Sequence, residues 1–345
     1  MKSADQNGRS APTLEEVAAL AGVSRATASR VINGAHRASP EAVAAVNEAI
    51  KKLDYVPNRA ARALASRQTH AIALIVPEEA DRFFGDPFFA SIVGGITSRI
   101  QPTDYVLNLI IGASDMNRKT ARYLAGGNVD GALVVSQHGS NALLEMLPEN
   151  VPVVFGGQPL DDPNERAYYV DVDNVAGART AVQHLVKLGR KRIATITGPM
   201  DMHASRDRLT GWQQVLSEAG LELLPIEHGD FTGGSGAAAM RRILEHTPDL
   251  DAVFVASDLM AAGAVTVLRE RGFKVPDDVA VMGYDNSPVS VRGDIKLSTI
   301  AQPSAQMGRE MVDMLLGLLG GKQPPARGRI LETSLILRDS APAAD

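Results

Sequence analysis

Four side chains on one short predicted helix have the chemistry to enter a groove of DNA. They are Arg25, Ala26, Ser29 and Arg30, and they share the helical face that the apolar residues leave open. Two guanidinium groups and a hydroxyl beside a small alanine are suited to phosphates and base edges. The alternative is an ordinary helical hairpin whose polar face is solvated.

The flanking sequence predicts the two helices that would hold this face. Thr13 and Glu16 have the spacing of a capping box at the start of the first helix. Gly22 suits a tight turn because glycine tolerates a left-handed backbone, and Ser24 is the predicted N-cap of the second helix. Two short helices joined in this way are typical of a helix-turn-helix. The predicted inner face consists of small and branched residues: Val17, Ala18, Ala21, Val23, Ala28, Val31 and Ile32.

A third helix should close this small domain, with Ser39 as its cap and Pro40 as its first residue. Its core face is predicted from apolar residues at helical spacing: Val43, Val46, Ile50 and Leu53. Beyond it, Asn58 can cap the segment NRAARALA, which has little apolar surface besides Leu64. A helix of about eight residues is not stable alone, so we expect DNA or a symmetric partner to hold it.

Charge is divided unevenly along the 345 residues. The net charge of −5 alone disfavours a nucleic-acid binder. Residues 1–67, however, hold ten Lys and Arg against six Asp and Glu, a net of +4, while the remainder holds 25 against 34, a net of −9. A basic N-terminal domain on an acidic body fits local attraction to phosphates.

The composition excludes several chemistries. Without cysteine there are no disulfides, thiolate nucleophiles or cysteine zinc sites. The seven histidines lack metal-ligand spacing, the sequence GGSG at Gly233 lacks the lysine of a phosphate loop, and no Gly-x-Ser-x-Gly occurs. We therefore expect no enzyme, no metal and no cofactor, and a turn with a helix start at GGSG. Residues 1–11 are polar and no apolar run could span a membrane, so we expect a disordered tail and a cytoplasmic protein.

From residue 70 onward, apolar runs alternate with helical stretches, which predicts parallel sheets covered by helices. The predicted strands are Ala71–Val76, Tyr105–Ile111, Asp130–Val135, Val151–Phe155, Arg192–Thr197, Ala252–Ala256 and Val279–Met282. The predicted helices include Asn174–Leu188, Arg206–Ala219, Asp258–Arg271 and Ser304–Leu319. The expected fold class is an all-α helix-turn-helix headpiece followed by an α/β core of two doubly wound lobes.

Ligands of such lobes bind beyond the carboxyl ends of the strands. Asp285, Ser257 and Ser136 each follow a predicted strand, and Arg208 opens a helix in SRDRLTGW. Asp258 is interpreted as a helix cap. Three aromatic residues could cover an apolar sugar face, although core packing is the alternative for the first two: Phe88, Phe89 and Phe231.

The stretches LEEVAALAGVSRATASRVING and LDYVPNRAARALA resemble the headpiece and hinge of the lactose-repressor/galactose-repressor family of bacterial transcription regulators. The resemblance extends over essentially the whole chain. It implies that Arg25, Ala26 and Arg30 read bases, with Arg30 able to bond guanine twice and Ala26 able to meet a thymine methyl group. It also implies phosphate contacts from a second set: Thr13, Ser24, Thr27, Ser29 and Asn33.

In the hinge, the resemblance implies that Leu64 is a wedge pushed between base pairs from the minor groove, and the alternative is a core leucine. Asn58, Arg59 and Arg62 join the predicted DNA contacts, the two arginines as phosphate clamps or as merely solvated charges.

For the body, the resemblance implies lobes similar to those of periplasmic sugar-binding proteins, with crossings near Asp171–Asn174, Gln302 and Leu331. It assigns effector contacts to Arg208 and Asp285, whose fork and carboxylate suit neighbouring hydroxyls. The resemblance assigns effector contacts to Gln302 and Ser136 as well. The alternative is an interlobe salt bridge with no ligand. The implied effector is a sugar or sugar derivative, with a nucleobase or another small polar metabolite as the alternative.

The expected domain scheme is a disordered tail at 1–11, a headpiece at 12–56, a hinge helix and linker at 57–69, and an effector-binding, dimerising core at 70–345. Lobe 1 would span about 70–172 and 303–330, and lobe 2 about 173–302 and 331–345.

The predicted function is a repressor that binds a palindromic operator as a homodimer, because one headpiece reads one half-site. Pairing of dimers into tetramers stays open. An effector in the cleft would change the pose of the lobes and thereby the affinity for the operator, either as inducer or as corepressor. The competing hypotheses are a transport-type sugar-binding protein, which the basic headpiece disfavours, and an enzyme, for which no residue constellation exists.

Overall fold

The computed structural model describes residues 12–32, 38–56, 68–112, 116–139, 151–160, 162 and 167–343. The chain divides into two compact units, one ending at Thr69 and the other beginning at His70. Within the described ranges, none of the helices combines the length and the hydropathy that a membrane span requires.

The first unit contains the helices α1 (Leu14–Leu20), α2 (Arg25–Ile32) and α3 (Pro40–Leu53). Their predicted starts are confirmed. Thr13 and Glu16 exchange the two hydrogen bonds of a capping box, and the Ser24 hydroxyl accepts a bond from the Thr27 amide at 3.1 Å. Gly22 holds the turn between α1 and α2 at a φ of +65°.

The core of this unit is a small cluster in which alanines matter as much as larger residues. Its fully buried members are Val17, Ala18, Ala28, Val46 and Ala49. The prediction that Val43 belongs to this core is wrong, since it is 36% exposed. The buried stripe of α3 runs through Val46 and Ala49, and a pattern that counted only large apolar residues missed the alanine.

The second unit alternates strands and helices. Its first half contains β1 (Ala71–Val76), α4 (Ala80–Gly85), α5 (Pro87–Ile100), β2 (Val106–Ile111), α6 (Met116–Ala125), β3 (Gly131–Val135), β4 (Val153–Gly156) and β5 (Tyr168–Val172). The middle contains α7 (Asn174–Lys187), β6 (Ile193–Thr197), α8 (His203–Glu218), β7 (Ile226–His228), α9 (Gly233–His246), β8 (Ala252–Val255) and α10 (Asp258–Glu270). The last part contains β9 (Ala280–Asp285), a 3₁₀ turn (Pro288–Val291), β10 (Ser298–Ala301), α11 (Ser304–Leu319), β11 (Gly328–Leu331) and β12 (Ser334–Ile336).

These strands form two six-stranded sheets, one in each lobe. The sheet of lobe 1 is parallel, in the order β11-β5-β4-β3-β1-β2. The sheet of lobe 2 has the order β12-β10-β9-β8-β6-β7 and is parallel except for the short edge strand β12. The prediction of two doubly wound α/β lobes is therefore confirmed.

The chain passes between the lobes three times. It leaves the lobe 1 sheet at Val172 and enters α7 of lobe 2 at Asn174. It returns between β10 and α11, because α11 packs on α5 and on the lobe 1 sheet. The last crossing joins β11 to β12 through residues 332–333.

Strand and helix predictions in the body are confirmed to within three residues at each end. The strand predicted at Val279–Met282 continues to Asp285, and the helix predicted from Arg206 begins at His203. Thr232 caps α9 through its hydroxyl, so GGSG is the helix start that the sequence predicts.

Direct backbone contact fixes α11 against lobe 1. A Cβ added to Gly95 of α5 would lie 2.0 Å from the Ala305 carbonyl oxygen, and one added to Gly308 would lie 2.3 Å from the Ile92 oxygen. Both distances are shorter than van der Waals contact permits, so each position requires glycine. The segment that returns from lobe 2 is therefore held firmly at the base of the cleft.

Candidate functional site

A cavity lies between the two lobes at the carboxyl ends of their strands. Its volume, including the part that is open to solvent, is about 710 Å³. This is the position where parallel α/β sheets bind ligands, because loops and helix starts meet there. Its walls combine aromatic rings, carboxylates, amides and two arginines.

Lobe 1 supplies one wall from the α4–α5 corner and from the loops after its central strands. Asp86 caps α5 by accepting a bond from the Phe88 amide at 2.9 Å, and this places the Phe88 ring in the lining. Phe89 is 1% exposed and packs against Phe83 in the lobe 1 core, with an edge at the cavity. Ser136 and Gln158 follow β3 and β4.

Lobe 2 supplies Arg208, which is only 4% exposed. Its guanidinium donates to the Asn174 side chain at 2.9 Å and to the Ala256 carbonyl at 2.7 Å. The group lies 3.6 Å above the Tyr284 ring and 3.9 Å from the Asp285 carboxylate. Arg208 therefore enters the cavity on a fixed platform, with its orientation set before any ligand arrives.

Three of the lining residues hold a left-handed backbone that ordinary side chains rarely adopt. The φ angles are +66° for Ser136, +67° for Phe231 and +105° for Asp285. Such strain persists where surrounding contacts enforce it, and it concentrates at binding sites. Here the left-handed backbone at each position turns the side chain toward the same cavity.

Three carboxylates in the walls are costly to ionise. Burial raises the pKa of Asp285 well above its usual range, and the Arg208 charge opposes that rise only in part. Burial likewise raises the pKa of Asp171, although the Gln158 and Val172 amides each bond it at 2.7 Å. The pKa of Asp86 is raised for the same reason. Carboxyl oxygens can accept hydrogen bonds from the hydroxyl groups of a ligand.

This arrangement favours a neutral, hydroxyl-rich ligand over an anion. Both arginines in the lining already face a carboxylate: Arg82 bonds Glu78 at 2.6 Å, and Arg208 faces Asp285. An anionic ligand would instead meet three buried aspartates. The aromatic rings of Phe88 and Phe231 offer apolar faces on which a sugar ring can stack.

Most of the predicted ligand contacts come together in this cavity, namely Phe88, Phe89, Ser136, Arg208, Phe231, Asp285 and Gln302. Gln302 donates to the Asp285 carboxylate at 3.0 Å. Their contact with a ligand stays a prediction. Ser257 is outside the lining because it is the N-cap of α10, accepting from the Met260 amide at 3.3 Å.

Three details of the prediction are wrong. Arg208 lies in the second turn of α8, because the helix begins at His203. Arg208 and Asp285 both belong to lobe 2, so their pair is no interlobe salt bridge. Asp258 caps no helix; its carboxylate accepts from the Thr299 hydroxyl and the Ser287 amide, both at 2.7 Å.

Several lining residues escaped the sequence interpretation: Arg82, Asp86, Gln137, Gln158, Asp171 and His203. Gln137, Gln158 and Asp171 lie at or just after strand ends, so the rule that found Ser136 applies to them as well. Asp86 precedes the two phenylalanines within the DPFF motif. Arg82 and His203 belong to helices whose relation to the cleft no local pattern reveals.

In the first unit, α2 presents the predicted DNA-reading face to solvent. Arg25, Ala26 and Arg30 are exposed, and Arg30 lies in the last turn. The Arg25 guanidinium pairs through Nε with Glu15 of α1 at 2.6 Å. The other predicted contacts Asn33, Asn58, Arg59, Arg62 and Leu64 lie outside the described residues.

Replacement of Asp258 by asparagine should reveal the cost of its buried charge. Burial raises the pKa of Asp258 to about 7 from 3.8. The favourable contribution of the neutral carboxyl group is fully present below the unfolded pKa and is lost as the pH rises through about 7. In Asp258→Asn, the amide can accept from Ser287 and donate to Thr299. We expect the free energy of unfolding of the variant, relative to that of the wild type, to rise by roughly 1–2 kcal/mol from pH 5 to pH 8.

Calorimetric unfolding at both pH values measures this difference. Asp249→Asn, at an exposed carboxylate that pairs with Arg192, is the matched control. Identical pH dependence of the Asp258 variant and the wild type would contradict the assignment.

Comparison with known proteins adds two matches to sequence families. The pattern of the bacterial regulatory proteins of the lacI family matches residues 13–58. The pattern of the periplasmic binding protein-like domain matches residues 182–341. The first covers the three-helix unit, and the second covers most of lobe 2 and the chain that returns to lobe 1.

Whole-length relatives are transcriptional regulators. The HTH-type transcriptional regulator CelR of Thermobifida fusca is 47% identical over 336 residues, which cover 96% of this chain and 99% of that protein. The HTH-type transcriptional repressor CytR of Escherichia coli strain K12 is 32% identical over 96% of this chain and 97% of that protein.

Two solved structures are similar over nearly the whole chain. A transcriptional regulator CelR–cellobiose complex is 45% identical, with a TM-score of 0.76 over 95% of this chain and 99% of that one. The lac repressor dimer bound to operator and the anti-inducer ONPF is 28% identical, with a TM-score of 0.85 over 97% and 100%.

Proposed function

Because the chain belongs to the lacI family of bacterial transcriptional regulators, which are not enzymes, we propose that it is a repressor released from or locked onto a palindromic operator by a disaccharide. The observation that carries the effector class is the interlobe cavity, where carboxylates, amides and the fixed Arg208 guanidinium surround the rings of Phe88 and Phe231. The CelR relative, whose structure holds cellobiose, makes cellobiose the first ligand to test.

The operator-binding surface is the exposed face of α2. Arg25, Ala26 and Arg30 would read bases in the major groove, while Thr13, Ser24, Thr27 and Ser29 fix the register on phosphates. Asn33, Asn58, Arg59, Arg62 and Leu64 extend this surface in the proposal, with Leu64 as the minor-groove wedge. A regulator of chromosomal DNA acts in the cytoplasm.

A homodimer would bring two such surfaces to one palindrome. Six large apolar side chains of the core are exposed among the described residues, and three of them would be available to such a contact: Phe84 at 77%, Leu109 at 44% and Val291 at 47%. They belong to both lobes, so a symmetric contact through them would couple the lobe positions of one protomer to those of its partner. The lac repressor of the related structure is a dimer on its operator.

The decisive experiment selects a duplex from a random library with the full-length protein and then titrates it with cellobiose. We expect a palindromic sequence, two protomers per duplex, and a change in operator affinity of about 5-fold to 150-fold on ligand binding, the usual range of allosteric coupling. The sign of the change distinguishes an inducer from a corepressor. Maltose, which differs from cellobiose in the configuration of the glycosidic bond, is the matched control.

Selection of no duplex would contradict the proposed function as a whole. Operator binding that ignores cellobiose, together with an unchanged melting temperature in its presence, would contradict the effector while leaving the repressor intact.

A further inference from the structure

A buried carboxylate in lobe 1 organises three donors beside the cavity. Glu78, in the turn between β1 and α4, is 6% exposed. It accepts hydrogen bonds from the Ser136 hydroxyl, from Nε2 of His138 at 2.9 Å and from the Arg82 guanidinium at 2.6 Å. One acidic side chain therefore sets the positions of a histidine and an arginine that both lie at the lobe boundary.

Both of these side chains reach across to lobe 2. Nδ1 of His138 lies 3.1 Å from each carboxylate oxygen of Asp201, in the segment between β6 and α8. The neighbouring Gly139 amide donates to the Asp201 carbonyl at 2.8 Å. The Arg82 guanidinium lies 5.4 Å from the centre of the Phe231 ring. Side chains of one lobe thus hold an acid and an aromatic ring of the other.

We propose that Glu78, Arg82 and His138 form a clasp with Asp201 and Phe231 that closes the ligand cavity and takes up a proton as it closes. The clasp deepens the proposed function, since it adds pH to the effector as a regulator of the same cavity. Arg82 and Phe231 also line the cavity, so ligand and clasp favour the same closed arrangement.

The sign of the pH dependence follows from which partners move. Hydrogen bonding to Glu78 is the largest cause that raises the pKa of His138, burial of the imidazole opposes the rise, and the Asp201 carboxylate adds to it. The Arg82 guanidinium, 3.5 Å from Nε2, opposes the histidine charge. Glu78 and Arg82 share lobe 1 with His138 and stay beside it when the lobes separate, whereas Asp201 leaves.

Because the imidazole keeps 28% of its surface exposed while it contacts Asp201, closure adds little burial, and the attraction to Asp201 outweighs it. The pKa of His138 is therefore higher in the closed form than in the open form. Below the open-form value the imidazole is charged in both forms, and closure gains the full attraction to Asp201. As the pH rises through the closed-form value, the proton is lost and closure loses that attraction. Acidification favours the closed cavity and alkalinisation favours the open one.

A second histidine at the cavity is not expected to contribute. Nδ1 of His203 lies 3.1 Å from Asp207, and this hydrogen bond is the largest cause that raises the pKa of His203. His203 and Asp207 occupy the same helix α8, so separation of the lobes leaves the pair intact. Its ionisation is then the same in the open and closed forms.

The test measures lobe separation directly and needs no effector. Because the chain contains no cysteine, Gln101→Cys in lobe 1 and Glu245→Cys in lobe 2, both exposed, provide two unique labelling positions. Spin labels or a fluorophore pair at these positions report the distance between lobes from pH 5.5 to pH 8.5 in the full-length protein. We expect the shorter distance to dominate at low pH and to decline as the pH rises.

Two variants locate the origin of the effect. Asp201→Asn keeps a polar side chain at a half-exposed position but removes the charge, and His138→Gln removes the proton-binding group. Both should make the distance distribution independent of pH. His246→Gln, at an exposed histidine that bonds the Arg242 carbonyl, should behave like the wild type. A distance that does not change with pH in the wild type, or that changes equally in the Asp201 variant, would overturn the clasp.

Titration with cellobiose separates this proposal from the function on which it rests. Because closure takes up a proton, the dissociation constant for cellobiose should rise by up to about tenfold between pH 5.5 and pH 8.5. The His138 variant should show less than about a twofold change. If cellobiose leaves the label distance unchanged at every pH while the distance itself still follows pH, the effector assignment fails and the clasp stands.

Discussion

Arg208→Ala is expected to abolish the response to the effector while leaving operator binding unchanged. The guanidinium is buried on the Tyr284 ring and is the one arginine that lobe 2 contributes to the described cavity lining. Removing it deletes a fixed donor and leaves the Asp285 carboxylate without the charge that partly offsets its burial. We expect cellobiose affinity to fall by about 100-fold or more, in keeping with the cost of an uncompensated buried charge.

Isothermal titration with cellobiose measures this loss, and operator titration without sugar checks that the DNA-binding unit is intact. Arg206→Ala is the matched control, because Arg206 lies on the same helix but points its guanidinium at the Met200 carbonyl outside the lining. An unchanged operator response in the Arg208 variant would remove this residue from the site.

The second large effect is expected from Arg30→Ala. Arg30 is exposed in the last turn of α2, on the face that would enter the major groove. Loss of a guanidinium that bonds one guanine twice costs about 1–3 kcal/mol of discrimination per site, and a homodimer loses it in both half-sites. The affinity for the selected operator should therefore fall by about 30-fold or more, while binding to unrelated DNA changes much less.

Fluorescence anisotropy at one fixed salt concentration compares the two duplexes. Lys51→Ala removes a charge of the same sign from α3 and should weaken both duplexes to a similar, small degree. If Arg30→Ala weakens the operator and unrelated DNA equally, Arg30 contacts phosphate and reads no base.

Local signals explain why the headpiece was predictable from the sequence. The capping box at Thr13, the left-handed turn at Gly22 and the caps at Ser24 and Ser39 each act within four residues. The spacing of large apolar residues wrongly placed Val43 in the core and left out Ala49. Whether a small residue such as Ala49 is buried depends on how closely another helix approaches it, and a local pattern does not show this.

The site was predictable only in part, for a similar reason. Strand ends located Ser136 and Asp285, and the resemblance supplied the role of Arg208. No pattern along the chain shows that Glu78 and Asp201 would lie on either side of one histidine, because they are 123 positions apart and belong to different lobes. The contacts of Arg82 and His138 with lobe 2 depend on the pose of the lobes, which no single segment encodes.

The three crossings between the lobes bear on how a change at the cavity could reach the DNA-binding unit. Because three chain segments join the lobes, any change in the separation of the lobes must bend all three segments. The chain ties the first unit to lobe 1 through β1, whereas Arg208 and Asp285 line the cavity from lobe 2. A ligand that drew the lobes together would therefore displace the attachment point of the first unit relative to lobe 2.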